Sequence, residues 1–351
     1  MNSVLSLARP DILELQPYQH AMWDPSLERL HANEMPWRAQ GDNTAAGLNR
    51  YPEPQPKALV ERMGRLYDVP PGRVLVGRGS DEAIDLLARA FCRAGTDSVV
   101  ICPPTFGFYK VAARIQGAQV VEVPLLREGF ALDAPRVIEA GRNAKIVFLC
   151  SPNNPTGNLL DESAMLGICR ELATTSLVCV DEAYIEFAGR ASLAARLAEH
   201  PNLVLLRTLS KAYALAGARL GTLIASEEIV GLLKRIIPPY AIPASTVEDV
   251  LKLTEAPQRA ISAGRIQTVL AERERSRRRL EAAPTVARVF PSDANFLLVE
   301  CRDARKFLEA GKSAGLLVRD FSSTPGLANC LRITIGTPEQ NERLLQAVER
   351  P

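Results

Sequence analysis

Short apolar runs alternate with longer amphipathic stretches between residues 74 and 225. Seven of the runs are rich in valine, leucine and isoleucine and have the length of buried strands. They are Val74 to Val76, Ser98 to Cys102, Gln119 to Val123, Lys145 to Cys150, Leu177 to Val180, Leu203 to Leu206 and Leu220 to Ala225. Helix-length stretches lie between them, at Asp81 to Arg93, Gly107 to Gln116, Glu162 to Ala173 and Ser192 to Glu199. This alternation predicts an α/β fold in which helices sandwich a mostly parallel seven-stranded sheet.

The pattern differs on either side of this region, and it predicts three parts of the chain. Residues 1–45 hold four prolines and little periodicity, so we expect an extended arm that joins the small domain and contains one strand, Leu27 to His31. Residues 46–255 should form the large domain, and residues 256–351 a smaller α+β domain. In the smaller domain a charged helix is expected at Ser262 to Ala282, strands at Phe296 to Glu300, Leu316 to Val318 and Leu331 to Ile335, and helices at Arg305 to Ser313 and Pro338 to Glu349.

The composition indicates which kinds of binding partner and which cellular compartment to expect. The 351 residues carry 42 basic and 40 acidic side chains, a net charge of +2, so no bulk attraction to nucleic acid or to a membrane is expected. Seven scattered cysteines form no C-x-x-C pair, and with three histidines they show no metal-ligand spacing. We therefore expect buried free thiols and no metal site. Without a signal-like segment or an apolar run of ~20 residues, a cytoplasmic protein is predicted.

Polar groups follow several of the predicted strands at the edge where parallel sheets bind ligands. A glycine turn after the first strand leads to Ser80 and Asp81, either of which can cap the next helix and create an anion site. Phe106 follows the second strand, and Asn154 stands between prolines after the fourth. Asp181 follows the fifth strand and needs a cationic partner if it is buried. Taken singly, each feature also has a purely structural explanation, such as an ordinary capped helix.

A lysine loop joins the sixth and seventh strands. Lys211 follows Ser210 and precedes Arg219 by eight residues. A desolvated lysine has a lowered pKa, so its amine can condense with an aldehyde, and serine with a bidentate arginine can hold a phosphate. An aldehyde and a phosphate on one molecule describe pyridoxal phosphate (PLP). By itself, this segment is better explained as an ordinary surface lysine with an arginine nearby.

Several longer motifs resemble one family when they are taken together. They are Asn49-Arg-Tyr-Pro-Glu-Pro-Gln-Pro, Gly79-Ser-Asp-Glu-Ala-Ile-Asp, Ser151-Pro-Asn-Asn-Pro-Thr-Gly, Asp181-Glu-Ala-Tyr-Ile-Glu-Phe and Thr208-Leu-Ser-Lys-Ala. With them the chain resembles the fold-type I PLP-dependent aminotransferases, and within these the histidinol-phosphate aminotransferases. The resemblance implies a homodimer with shared active sites that converts L-histidinol phosphate and 2-oxoglutarate to imidazole acetol phosphate and L-glutamate, in histidine biosynthesis.

The resemblance also implies roles for individual residues of a PLP-binding large domain. Lys211, Asp181 and Tyr184 are the expected catalytic residues. Lys211 would carry the cofactor and move the substrate proton, and Asp181 would keep the pyridine nitrogen protonated. Asn154 and Tyr184 would bind the 3′ oxygen of the ring, and Phe106 would stack on its face. The expected phosphate ligands are Ser80, Asp81, Ser210 and Arg219, joined by Tyr51 from the neighbouring subunit.

The substrate ligands that the resemblance implies come from both ends of the chain. Arg332 would bind the anionic end of the substrate, Arg319 would assist it, and Tyr18 and Asn33 of the arm would close over the site. Two arginines suit the phosphate of histidinol phosphate and the carboxylates of glutamate and 2-oxoglutarate. Surface salt bridging is the plainer alternative for both arginines.

Three positions depart from the family's usual residues. Met35 stands where asparagine is usual, His31 where an acidic residue or asparagine is frequent, and Phe106 where tyrosine is usual. These departures bear on the preferred donor or acceptor and leave three alternatives open. The alternatives are a PLP-dependent decarboxylase of a phosphorylated amino acid, an aromatic amino acid aminotransferase, and a non-catalytic PLP-fold sensor. Retention of both Lys211 and Asp181 argues against the sensor.

Overall fold

A seven-stranded sheet forms the centre of the molecule. The computed structural model describes residues 3–19, 24 and 26–349. The strands are β1 Val74–Gly77, β2 Ser98–Ile101, β3 Gln119–Glu122, β4 Ile146–Cys150, β5 Leu177–Asp181, β6 Leu203–Thr208 and β7 Gly221–Ile224. Their spatial order is β1-β7-β6-β5-β4-β2-β3, and β7 alone runs antiparallel to its neighbours. The mostly parallel α/β sheet predicted from the apolar runs is confirmed.

Helices cover both faces of this sheet. They are α1 Pro10–Glu14, α2 Lys57–Tyr67, α3 Ser80–Phe91, α4 Phe108–Ile115, α5 Ala134–Gly141, α6 Glu162–Glu171, α7 Glu227–Leu233 and α8 Ala244–Leu253. The sheet's alternating side chains feed two separate apolar clusters, one with Val180 and the other with Leu206. The helix predicted at Ser192 to Glu199 is wrong: the segment is only a 3-10 turn, Leu193–Arg196, because its N–H groups donate three residues back, as from Leu197 to Ala194.

The smaller unit is an antiparallel sheet with the order β10-β11-β9-β8. Its elements are α9 Ala256–Ala282, β8 Val286–Val289, β9 Phe296–Cys301, α10 Ala304–Ser313, β10 Arg319–Asp320, β11 Cys330–Thr334 and α11 Pro338–Val348. The strand predicted at Leu316 to Val318 is wrong, because pairing with β11 begins only at Arg319. Strand β8 was not predicted. No helix in the described parts of the chain is long and apolar enough to cross a bilayer.

The N-terminal arm differs from its prediction. Val4 and Leu7 are buried among the residues of α3 and α7, and the N–H of Arg9 donates to the carbonyl of Ala90. The start of the arm therefore packs against helices that cover the large sheet. The strand predicted at 27–31 is absent, and Leu30 is 96% exposed, so no burial of side chains favours pairing there. The division into an arm at 1–45 that joins the small domain, a large domain at 46–255 and a small domain at 256–351 stays a prediction.

The two sheets are joined close to the loop that follows β4. The N–H of Asp293 donates to the carbonyl of Gly157 at 2.7 Å, and the Asp293 carboxylate accepts from the N–H of Leu159 at 3.0 Å. A side chain on Gly157 would meet the hydroxyl of Ser292 at 2.5 Å, so only glycine permits this close approach. The loop that carries Asn154 is thereby fixed against the smaller unit.

Candidate active site

A pocket of about 190 Å³ lies at the edge of the large sheet where the parallel strands end. We call it the central pocket. Its lining residues are Gly79, Ser80, Asp81, Phe106, Cys150, Asn154, Asp181, Ala183, Tyr184, Thr208, Ser210, Lys211, Ala216 and Arg219. The structure thus brings together every residue predicted to bind the cofactor except Tyr51. The sequence placed them at the ends of separate strands, and the parallel sheet makes those ends adjacent.

One end of the central pocket gathers hydrogen-bond donors. Gly79 has φ +94°, and a Cβ there would lie 2.9 Å from Nη2 of Arg219. The guanidinium therefore occupies space beside the first residues of α3, a helix that begins without a side-chain cap. Nη2 of Arg219 also lies 3.5 Å from the Asp81 carboxylate. A helix N-terminus, an arginine and the hydroxyl of Ser210 form a donor set that suits a dianionic phosphate.

Lys211 reaches into the central pocket from the loop after β6. Its Nζ lies 5.6 Å from the centre of the Tyr184 ring. Although the side chain is accessible through the pocket, the surrounding protein lowers the pKa of its ammonium by desolvation, and the nearby Arg332 adds to this effect. A larger fraction of the neutral amine makes Lys211 a better nucleophile and base at neutral pH.

Asp181 ends β5 with its carboxylate 3% exposed. Oδ1 accepts the N–H of Ala183 at 3.1 Å, and Oδ2 accepts the hydroxyl of Tyr109 at 2.8 Å. Burial raises the pKa of Asp181 to about 6, against the opposing effect of these two hydrogen bonds. Among the described residues Asp181 makes no salt bridge, so the cation that the sequence argument required does not come from this part of the chain. The protonated ring nitrogen of PLP has the charge that this carboxylate calls for.

Tyr109 is the residue of this site that the sequence reasoning missed. It lies on α4 and is fully buried. No local signal pointed to it, because α4 begins only at Phe108 and the spacing of three residues from Phe106 crosses the start of the helix. The ring of Phe106 meets that of Tyr109 edge to face at 5.5 Å.

A chain of polar contacts links the two sheets across the pocket. Nδ2 of Asn154 donates to the hydroxyl of Tyr184 at 3.4 Å, and Arg332 donates to Oδ1 of the same amide in a short hydrogen bond. Arg332 lies opposite Arg319 in the β10–β11 register, and the ring of Phe321 lies 5.4 Å from one guanidinium and 6.0 Å from the other. Nε of Arg332 is buried without a partner. The smaller unit thus presents two arginines near the central pocket.

The other predicted ligands lie outside the central pocket of this chain. Tyr51 stacks on Tyr240 at 4.7 Å and is half exposed. Tyr18 is 65% exposed, and Asn33 is an exposed residue with φ +56°. The carboxylate of Glu34 accepts the N–H of Tyr51 at 2.7 Å, so the arm and the segment of Tyr51 are held together. His31 and Met35, two of the departures, lie on the same exposed part of the arm.

The family model of class I and II aminotransferases matches residues 31–348. A histidinol-phosphate aminotransferase from Stenotrophomonas maltophilia is 44% identical over 360 residues, which cover 99% of this chain and 97% of that protein. The chain belongs to the histidinol-phosphate aminotransferase family. It is therefore a PLP-dependent aminotransferase within class I and II.

Solved structures show the same fold. The histidinol-phosphate aminotransferase from Sinorhizobium meliloti, in complex with pyridoxal-5'-phosphate, has a TM-score of 0.75 at 24% identity and covers 86% of this chain and 82% of its own. A decarboxylase from Sulfurospirillum multivorans has a TM-score of 0.74 at 26% identity and covers 84% and 85%. The fold is thus shared between two chemistries, and the site residues must distinguish them.

The central pocket fits the cofactor of this family at three separate points. The uncapped start of α3 beside Arg219 suits the phosphate, the desolvated Lys211 suits the aldehyde, and the buried Asp181 suits the ring nitrogen. Phe106 lines the same pocket with a flat face. The individual roles of these residues remain predictions.

Proposed function

We propose that this enzyme transfers the amino group of L-histidinol phosphate to 2-oxoglutarate, giving imidazole acetol phosphate and L-glutamate in histidine biosynthesis. The observation that carries the proposal is the pairing of Arg319 with Arg332 across β10 and β11. Two guanidinium groups side by side match a dianionic phosphate, and they match the distal carboxylate of glutamate as well. The relative from Stenotrophomonas maltophilia, similar over the whole length, supports the same substrate.

The residues of this chain have separate tasks in the proposed reaction. When bound, PLP supplies an electron sink for the carbanion at the substrate Cα. Nζ of Lys211 would move the proton between the substrate Cα and C4′ of the cofactor, a task that its lowered pKa favours. The Asp181 carboxylate would hold the proton on the ring nitrogen. Asn154 and Tyr184 are hydrogen-bonded to each other and offer their donors to the 3′ oxygen.

Arg332 connects substrate binding to the ring. Because it already donates to Asn154, it lies within reach of both the cofactor ligands and the substrate anion. The ring of Phe321 lies 5.4 Å from the guanidinium of Arg332 and 6.0 Å from that of Arg319, so both arginines share one apolar neighbour. Loss of the Arg332 guanidinium should therefore remove a charge-assisted bond to the substrate phosphate.

A substrate panel with single half-reactions, followed by the cofactor absorbance, tests the proposal. Hydrogen bonds to charged groups contribute ~1.5–3 kcal/mol, so Arg332→Ala should lower kcat/KM for histidinol phosphate by roughly 10- to 150-fold. Arg305→Ala, at an exposed position of α10, is the matched control and should change nothing. Histidinol, which lacks the phosphate, should be little affected by Arg332→Ala. An equal loss for histidinol would contradict phosphate recognition, and faster turnover of aromatic amino acids would favour an aromatic aminotransferase.

A PLP-dependent decarboxylase is the second candidate, favoured by the structural likeness to the Sulfurospirillum multivorans decarboxylase. The two functions differ in which bond at Cα breaks and therefore in their products. Transamination yields glutamate in proportion to the oxo product, and decarboxylation yields CO₂. Release of CO₂ from a phosphorylated amino acid without glutamate formation would replace the first proposal by the second.

We infer that the enzyme is a homodimer in which Tyr51 serves the partner's site. In its own chain Tyr51 does not line the central pocket. Three large apolar side chains that precede Tyr51 in the chain are exposed: Leu30 by 96%, Trp37 by 73% and Leu48 by 58%. An exposed apolar segment of this kind is typical of a surface that another chain covers.

Subunit exchange tests the shared site. Tyr51→Ala and Lys211→Ala should each be poorly active, and mixing them at equal ratio makes about half of all dimers mixed. Each mixed dimer has one intact site, so activity should recover to about a quarter of wild type. Proven exchange without recovery would assign Tyr51 to its own chain or to no site.

We also propose that the enzyme acts in the cytoplasm. All seven cysteines are buried and free. Such thiols suit a reducing compartment. Fractionation of cells that express the enzyme at its natural level would test the location.

A further inference from the structure

Tyr109 makes three contacts that converge on the central pocket. Its ring stacks on Phe148 of β4 at 4.9 Å with an interplanar angle of 3°, and it meets Phe106 edge to face at 5.5 Å. Its hydroxyl reaches Oδ2 of Asp181 at 2.8 Å. With an exposed fraction of 0%, Tyr109 has no room to adopt another rotamer. The hydroxyl is therefore held on the carboxylate by the stacking on Phe148 and the edge-to-face contact with Phe106.

The direction of this hydrogen bond is fixed by the surroundings. Burial and the neighbouring Asp181 raise the pKa of Tyr109 well above its ordinary value, so the phenol stays protonated and donates. A donor stabilises the ionised carboxylate. The only other hydrogen bond to the Asp181 carboxylate from the described residues comes from the N–H of Ala183, on the opposite oxygen.

The charged and titratable groups around Asp181 come from several elements and partly oppose one another. Asp81 of α3 raises the pKa of Asp181, and Lys211 of the loop after β6 lowers it. The remaining titratable neighbours are Cys150 of β4, Cys179 of β5, Tyr184 after β5 and Tyr109 of α4. Both thiols and both phenols are neutral at physiological pH, because burial raises their pKa values. Among these neutral groups, Tyr109 is the one that donates to the carboxylate.

We propose that Tyr109 is a positioning residue that keeps Asp181 ionised and fixes the plane of its carboxylate for the ring nitrogen of PLP. With one donor on each oxygen, the carboxylate cannot rotate without breaking a hydrogen bond. The same ring supports Phe106 from its edge, so one residue sets two of the surfaces that the cofactor ring contacts. The inference rests on PLP binding beside Asp181, and it is independent of the substrate.

Tyr109→Phe removes the hydroxyl and keeps the packing. Loss of one hydrogen bond to a charged group should raise the pKa of Asp181 by roughly one to two units above its starting value of about 6. The affinity for PLP, measured by absorbance on the full-length enzyme, should fall as the pH is lowered. In the variant this fall should begin at a pH roughly one to two units higher than in wild type. Near pH 6 the affinity should be roughly 5- to 50-fold lower, and well above the new midpoint it should approach the wild-type value.

Tyr67→Phe is the matched control. Tyr67 is also a buried tyrosine, but it belongs to the apolar cluster on the other face of the large sheet, beside Arg207. It should leave the pH profile of PLP binding unchanged. A variant that loses packing alone should weaken PLP binding by the same factor at every pH. If Tyr109→Phe lowers the affinity for PLP equally at every pH, the inference is overturned.

Asp181→Asn supplies an independent check. In this background Tyr109→Phe should cause no further pH-dependent change, because no carboxylate remains to be stabilised. If Tyr109→Phe does not fold, the infrared difference spectrum between wild type and Asp181→Asn at neutral pH reports the protonation state of Asp181 instead. No band of a protonated carboxylic acid is expected for Asp181, and its presence would refute the inference. Failure of wild type to bind PLP would instead contradict the proposed function.

Discussion

Replacing Asp181 by asparagine should stabilise the cofactor-free protein and weaken cofactor binding. The carboxylate is 3% exposed, and burial raises its pKa from the ordinary 3.8 to about 6. At neutral pH the group is ionised in both the native and the unfolded state, but only the native state holds the charge away from water. The native protein therefore carries a free-energy cost for this residue that the unfolded chain does not.

The size of the cost follows from the two pKa values. A shift of about two units corresponds to about 3 kcal/mol, since one unit is about 1.4 kcal/mol. An asparagine at this position can keep the N–H of Ala183 on its oxygen and donate its amide to the hydroxyl of Tyr109, so little hydrogen bonding is lost. We expect Asp181→Asn to raise the free energy of unfolding by about 1–3 kcal/mol at neutral pH.

The pH dependence has a definite sign. Between pH 3.8 and about 6 the native state binds more protons than the unfolded state, so this residue makes wild type more stable as the pH falls through about 6. The advantage of Asp181→Asn should shrink over the same window. Below 3.8 the carboxyl is protonated in both states, and the ionisation cost disappears.

Urea unfolding of the cofactor-free enzymes at equal protein concentration measures the difference. The midpoint should rise without a change in the slope m. Asp161→Asn, at the exposed N-cap of α6, is the matched control and should be nearly neutral, because asparagine caps helices as well as aspartate does. A lower midpoint for Asp181→Asn at neutral pH would show that the buried carboxylate stabilises the fold and would refute the reasoning.

Three further predictions follow from single contacts. Borohydride reduction of the PLP-bound enzyme should attach the cofactor permanently to the peptide that contains Lys211, and mass spectrometry would reveal a label elsewhere. Gly221→Ala should abolish PLP binding in absorbance titrations, because its Cβ would lie 2.2 Å from backbone at the start of α3. Arg207→Met should lower the free energy of unfolding in urea by about 3–5 kcal/mol, since it leaves the buried carboxylates of Glu182 and Glu186 without their cation. An unchanged midpoint would contradict this.

The large sheet and most of its pocket could be predicted from the sequence because their signals are local. Apolar runs mark the strands, and a parallel sheet places the residue after each strand at one edge. Asn154 and Asp181 were found in this way, although 27 residues separate them. The rule states which residues meet, and it leaves open which atoms bond.

The contacts that tune the site could not be read from the sequence. Tyr109 and Asp181 are 72 positions apart, and Arg332 and Asn154 are 178 apart. Their pairing depends on how helices and the second sheet pack, which no local pattern records. The wrong strand at 316–318 has a similar cause. Leu316 and Val318 pack on the small core while Leu317 is 89% exposed, so the alternation of a strand is present. The backbone pairs with β11 only from Arg319 onwards.

The charged forms of Asp181 and Lys211 are both destabilised by the protein around them. The attraction between their opposite charges does not offset this cost. Burial raises the pKa of the acid and lowers the pKa of the amine, so each neutral form is favoured over the charged one. A ligand that brings a cation to the acid and consumes the amine removes both costs at once. Such a ligand binds the native state and not the unfolded chain, so it raises the stability of the fold by mass action as well as completing the site. Asp181→Asn should weaken that gain even where it strengthens the protein alone, which separates the requirements of the cofactor from those of the fold.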